Sequence, residues 1–131
     1  MTTPFWCLLV VAAMPYVLAG VGAYLRIQQL GKLDLHHPRL QALELHGSAE
    51  RAYASQQNAW EALPLFGAAV FTAHLAGADA GQSATASVVF AIARVLHPVM
   101  YIADLPPLRT AVFAVGIACC IWLFGLAVAA P

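Results

Sequence analysis

From Thr110 to Pro131 the chain reads TAVFAVGIACCIWLFGLAVAAP, without one charged side chain. About 20 apolar residues in a helix cross the hydrocarbon of a bilayer. A surface helix of a soluble protein turns at least one polar face to water, and this stretch has none. It therefore belongs in a membrane. Composition agrees: 62% of the 131 residues are hydrophobic and 9% are charged, against ~45–50% and ~25% in soluble domains.

Working outward from that stretch, Arg109 opens it, and Asp104-Leu105-Pro106-Pro107 makes a tight connection before it. A third span runs from about Gln82 to Ala103, interrupted by Arg94. Gly77 to Gly81 forms a short turn, and the apolar part of the second span covers Ala62 to Ala78. That helix is expected to begin before Arg51 and to enter the membrane with polar first turns. Pro38 stops any helix near the start of the polar stretch from Arg26 to Gln57. At the far end, Thr3 to Leu25 is again uncharged, and no Lys or Arg precedes Arg26 as a cleaved signal peptide would require.

These readings predict an all-α integral membrane fold, a single domain over residues 1–131. The expected architecture is a four-transmembrane-helix up-down-up-down bundle, because short turns force antiparallel neighbours. The spans are expected near residues 4–26, 55–78, 82–103 and 108–130, with a loop near 27–50. In that topology Arg26, Lys32, Arg39, Arg51, Arg94 and Arg109 all lie on one half, and the other half holds only Asp79. The positive-inside rule then makes the long loop cytoplasmic and turns both termini away from the cytosol. Basic and acidic residues balance at six each, so no polyanion-binding field exists and nucleic acid is not an expected partner.

Cys7, Cys119 and Cys120 all sit in apolar stretches, and no Cys/His spacing suits a metal. His36, His37 and His46 lie in the loop without a metal-ligand pattern, so no metal site is expected. Trp6, Trp60 and Trp122 read as interfacial or packing aromatics. His74 reads as a cap or an interface residue. The Gly/Ala content of the spans suits close helix packing.

The residues that a bilayer penalises carry the functional signal. Arg51, Asn58 and Glu61 share one face of the second helix, at spacings of seven and three. Arg94, His97 and Tyr101 stack on one face of the third, at spacings of three and four. The simplest pairing is Glu61 with Arg94 across the two helices, and two interpretations stand open. One is an interhelical salt bridge that fixes packing. The other is a polar pocket, formed by Arg51, Asn58, Glu61, Arg94, Tyr101 and Arg109, for an anionic or zwitterionic ligand. Its arginines would bind carboxylates and Glu61 an ammonium.

The run ERAYASQQNAWEALPLF, residues 50–66, resembles the second-helix signature of the MAPEG superfamily, the membrane-associated proteins in eicosanoid and glutathione metabolism. That signature is Glu-Arg, then Asn-x-x-Glu, then Pro-x-Phe. Arg94, Tyr101 and Arg109 resemble further positions of the same family, and the likeness covers nearly the whole chain. It implies a bacterial-type member in an inner membrane, with periplasmic termini, assembled as a homotrimer. It implies glutathione as the co-substrate and a lipophilic electrophile as the second ligand. Carried over by position, Asn58, Glu61, Arg51, Arg94, His97 and Tyr101 would hold glutathione, while Arg109 would stabilise its thiolate as the catalytic residue. The chain departs from the pattern at Ala54 and Gln57, where members commonly carry basic residues, and at His97, where one branch has tyrosine. A lost carboxylate-binding arginine removes ~1.5–3 kcal/mol of charge-assisted bonding. The expected activity is a glutathione-dependent transferase or peroxidase. The alternative is a non-catalytic accessory or scaffold subunit of a larger membrane complex. A transporter is the least favoured class, since no broken helices recur in matching halves.

Overall fold

The computed structural model describes residues 1–131 and is all-helical, without strands. Its long helices are α1 (Thr3–Leu30), α3 (Gly47–Leu75), α4 (Ala80–Ile102) and α5 (Pro106–Val128). The short α2 (Pro38–Gln41), followed by a 3₁₀ turn over Ala42–Glu44, lies between α1 and α3.

Local sequence sets the ends. Pro4 occupies the first turn of α1, and Pro106 and Pro107 the first turn of α5, where a missing amide proton costs nothing. Asp79 caps α4, its Oδ1 accepting from the Gln82 amide at 2.7 Å. Gly31 ends α1 with φ +77°, and Gly77 turns the chain after α3 with φ +73°. Both need the left-handed region that glycine enters without strain. Pro38 heads α2 from its first position, as helix-breaking by proline predicts for the polar stretch. Pro15, Pro64 and Pro98 sit inside α1, α3 and α4.

Three of the four long helices, α1, α4 and α5, are long and apolar enough to cross a membrane. The fourth, α3, is long enough, but its first half carries Glu50, Arg51, Asn58 and Glu61. Adjacent long helices run antiparallel. The Phe5 ring at the start of α1 meets the Phe71 and His74 rings near the end of α3. At the opposite end, Arg51 near the start of α3 donates to the carbonyl of Ile102, the last residue of α4. His74, in the last turn of α3, lies edge-on to Phe5 at 5.0 Å.

The core runs between these ends. Phe66 of α3 and Phe90 of α4 stack at 3.9 Å with their planes 7° apart, both fully buried. Val11 and Cys7 of α1 and Leu123, Cys119 and Cys120 of α5 close around them. All three cysteines are free and buried, packing as small hydrophobes. A satellite cluster of Ala42, Leu45 and Ala49, backed by Leu25, Leu30 and Tyr53, pins the loop to the ends of α1 and α3.

Hydrogen bonds knit the loop itself. The buried Gln41 side chain accepts from the Asp34 amide and donates to the Lys32 carbonyl, at 3.0 and 2.9 Å. Gln29 and the His46 backbone exchange two bonds. Asp34 accepts from the His37 and His36 amides at 3.0 and 2.9 Å. These bonds, that of His37 foremost, hold its carboxyl below the ordinary carboxylate value.

Candidate functional site

The polar residues of α3 and α4 meet because the two helices run antiparallel with Arg51 level with Ile102 and Asn58 level with Arg94. Arg94 is only 5% exposed. Its Nη2 donates to Asn58 Oδ1 at 2.8 Å and to the Asn58 carbonyl at 3.2 Å. The Asn58 amide in turn donates to Glu61 Oε2 in a long contact of 3.5 Å. Placing a guanidinium this deep demands such acceptors, since an unpaired buried charge is strongly disfavoured.

The expected Glu61–Arg94 ion pair does not form. Asn58 intervenes, because Glu61 lies three residues further along α3 and on its exposed side. The structure's ion pairs are Arg51 with Asp104 at 3.7 Å and His37 with Asp34 at 3.8 Å. The Glu61 carboxylate therefore has no cationic partner within the chain.

Arg51 faces the turn between α4 and α5. Besides the Asp104 contact, its Nε donates to the Ile102 carbonyl at 3.1 Å. Asp104 adopts φ 59°, a conformation that aspartate tolerates better than most residues. Arg109 stands with its guanidinium 4.4 Å from the centre of the Tyr101 ring, a cation–π contact. The other neighbour of Tyr101 is His97, edge-on at 5.6 Å. His97 is 3% exposed, also packs against Phe113, and has no hydrogen-bond partner at Nδ1. The candidate residues thus fall into two groups, Arg94, Asn58 and Glu61 across α3 and α4 and His97, Tyr101 and Arg109 across α4 and α5, with Arg51 apart from both at the α4–α5 turn.

Three clefts surround the α3 segment that carries this chemistry. One of about 170 Å³ opens between α3, α4 and α5, where Asn58, Glu61 and Arg94 face Phe90, Phe113 and Gly116. A second, about 540 Å³, lies toward the loop and is bounded by Glu50, Tyr53, Ala54, Gln57, Asn58, Glu61 and Tyr101. Asn58 and Glu61 form the rim common to both. The third, about 600 Å³, lies between α1, the loop and α3. It is floored by Ala19, Gly22 and Ala23 and bordered by Arg26, Asp34, Arg39, Gln56 and Trp60. Tyr53 and Gln57 line the second and third clefts alike.

Arg26, Arg39 and Gln56 are residues that sequence reasoning did not single out as site candidates. Arg26 could have been flagged as the first charge after an uncharged span. Arg39 could not, because its place beside Arg26 depends on the loop folding back, where Arg26 Nη1 donates to the Pro38 carbonyl at 3.1 Å. Arg109 lines none of the three clefts; its neighbour Tyr101 lines the second alone. Chemically, the region offers one carboxylate free to take an ammonium group, arginines on both sides of α3 for carboxylates, and apolar walls next to each.

No curated protein and no solved structure matches the chain. Comparison with protein families does match, over residues 3–129. With nearly the full length covered, and the membrane-spanning helices and polar α3 in place, the chain belongs to the MAPEG family.

Proposed function

We propose that this protein is a glutathione-dependent transferase or peroxidase acting on lipophilic electrophiles that reach it from the bilayer. In this reading all four long helices span, α3 keeping its polar half turned from lipid, and the chain assembles as a homotrimer in a bacterial inner membrane. The termini are periplasmic and the loop is cytoplasmic.

The observation that carries the reading is the uncommitted Glu61 carboxylate, held beside Asn58 on the rim common to two clefts. A salt bridge to Arg94 would have consumed it. Without a cationic partner, it suits the ammonium of a zwitterionic peptide, and the second hydrogen of the Asn58 amide is left for a peptide carbonyl. Arg26 and Arg39 border the adjoining cleft and can take carboxylates where Ala54 and Gln57 cannot. The clefts lie open on both sides of α3, so a neighbouring subunit would serve as their roof.

Bound glutathione supplies the thiol whose sulfur attacks the electrophile. The chain's part is to hold the peptide and favour the thiolate. Arg109, fixed over Tyr101, is the cation assigned to that task, since a nearby positive charge raises the thiolate fraction.

The test is glutathione binding to detergent-purified protein, followed by calorimetry and thiolate absorbance, beside Glu61→Gln. Loss of a charge-assisted contact of ~1.5–3 kcal/mol predicts binding weakened about ten- to hundredfold in the variant. No binding at millimolar glutathione would sink the enzyme reading. Equal binding by both proteins would remove Glu61 from the site.

A second reading, an accessory or scaffold subunit of a larger complex, is favoured by one observation. Ala54 and Gln57 line the loop-side cleft where the family resemblance leads one to expect basic residues. Purification in mild detergent separates the two, since stoichiometric foreign partners support the scaffold and a homo-oligomer alone supports the enzyme.

A further inference from the structure

At the end of the molecule opposite Arg51, α1, α3, α4 and α5 leave a cavity of about 260 Å³ that the site above does not use. Val70, Ala73 and Leu123, all fully buried, form its deep wall. Phe5 closes one side and Ala78 the rim. Small side chains leave the space unfilled.

One polar group in this wall stands buried without a partner. Ser83 is 7% exposed and its Oγ hydrogen-bonds nothing. The contrast with Ser87, one turn further along α4, is direct. The Ser87 hydroxyl donates to the Ser83 carbonyl at 2.7 Å, satisfying itself along the helix. Buried polar groups are almost always paired, so an orphan hydroxyl in a cavity wall marks a place where an external partner belongs. His74 lines the same cavity, its ring fixed edge-on to Phe5.

Charge narrows the class of partner. Asp79, next in sequence to the lining residues Ala78 and Ala80, is engaged in capping α4, and no Lys or Arg lines the cavity. His74 is the one ionisable side chain in the lining, so the cavity offers no fixed charge to pair with an ionic ligand. The volume falls just below the ~300–1,000 Å³ of drug-sized sites, so the occupant is compact.

We propose that this cavity binds a small, neutral, lipophilic molecule bearing one hydrogen-bond acceptor such as a carbonyl, which takes the Ser83 hydroxyl while its hydrocarbon part packs on Val70, Ala73 and Leu123. The site is independent of the thiol-binding reading and lies at the other end of the helices.

The probe is a nine-carbon methyl ketone carrying a diazirine, irradiated with the full chain in phosphatidylcholine nanodiscs and mapped by mass spectrometry. Labelling is expected within residues 70–83, displaced by excess 2-nonanone. Ser83→Ala is expected to weaken that displacement about three- to tenfold, the worth of one hydrogen bond. Ala78→Leu, at the half-buried rim, is expected to reduce labelling without the risk to folding that filling Ala73 carries. Labelling spread over all lipid-facing helices and indifferent to 2-nonanone would overturn the proposal. So would equal labelling by a ketone-free alkyl diazirine, which would mark the cavity as one filled by bilayer chains.

Discussion

Asn58 is the hinge of the polar cluster, because it serves two charged residues at once. Its side-chain oxygen and its backbone carbonyl both accept from Arg94, while its amide nitrogen points to Glu61. Truncating it does not leave the guanidinium bare, since the backbone acceptor at 3.2 Å remains. Asn58→Ala is therefore expected to cost about 1.5–3 kcal/mol, the range for losing a hydrogen bond to a charged group, and not the ~3–5 kcal/mol of an uncompensated buried ion. Thermal unfolding in detergent measures this. A loss as large as that of a fully stranded charge would show that the carbonyl contact contributes nothing. This geometry was only half legible in the sequence. Spacing put Asn58 and Glu61 on one face and Arg94 on the facing helix, but which of the two meets Arg94 depends on a rotation of α3 that spacing leaves open. Opposite charge favoured Glu61; depth favoured Asn58, because the buried Arg94 lies level with it.

Between helices, α5 approaches α4 through Gly116. A methyl group there would lie 3.6 Å from the Phe90 ring and 3.9 Å from Arg94 Cδ, which is ordinary contact. Gly116 is also mid-helix, where glycine costs ~0.5–1 kcal/mol relative to alanine. Gly116→Ala should thus be neutral or raise stability by up to about 1 kcal/mol. Gly116→Leu cannot be absorbed in the same way. It must displace the Phe66–Phe90 stack or fill the cleft beside Glu61, and overpacking of this kind costs about 1–3 kcal/mol. Gly116→Leu should lower the melting temperature while Gly116→Ala leaves it unchanged or raises it, and a common fall would mean that α5 sits closer than described. At this scale the helices themselves were readable. Gly77, Asp79, Pro106 and Pro107 announce the connections, and the uncharged runs announce α1 and α5. The start of α3 at Gly47 was less so, for its first turns are polar and are held by the loop's Ala42–Leu45–Ala49 cluster. The folded loop was not legible at all, because it rests on Gln41 reaching back to Lys32 and Asp34.

For the molecule as a whole, charge is arranged by end. The Arg51–Asp104 contact, Arg26 near the end of α1, and Lys32 and Arg39 between α1 and α3 gather at one end, while the α3–α4 turn at the other holds Asp79 alone among charged residues. Basic residues near short connections are retained on the cytoplasmic side, so the placement of the cations in the folded chain, and not only their count, supports the proposed topology. The native thiols make this testable without a cysteine-free background, since Cys7, Cys119 and Cys120 are all buried and should resist an aqueous maleimide. Leu35→Cys places a new thiol in the exposed loop and Gly81→Cys one at the exposed start of α4. In intact inner-membrane spheroplasts an impermeant maleimide should label Gly81→Cys at once and Leu35→Cys only after permeabilisation. The reversed pattern would put the Glu61 clefts on the periplasmic side, away from the cytosolic glutathione pool, and the proposed chemistry would lose its thiol. Labelling of both from outside would mean that α3, the helix whose first half is polar, does not span.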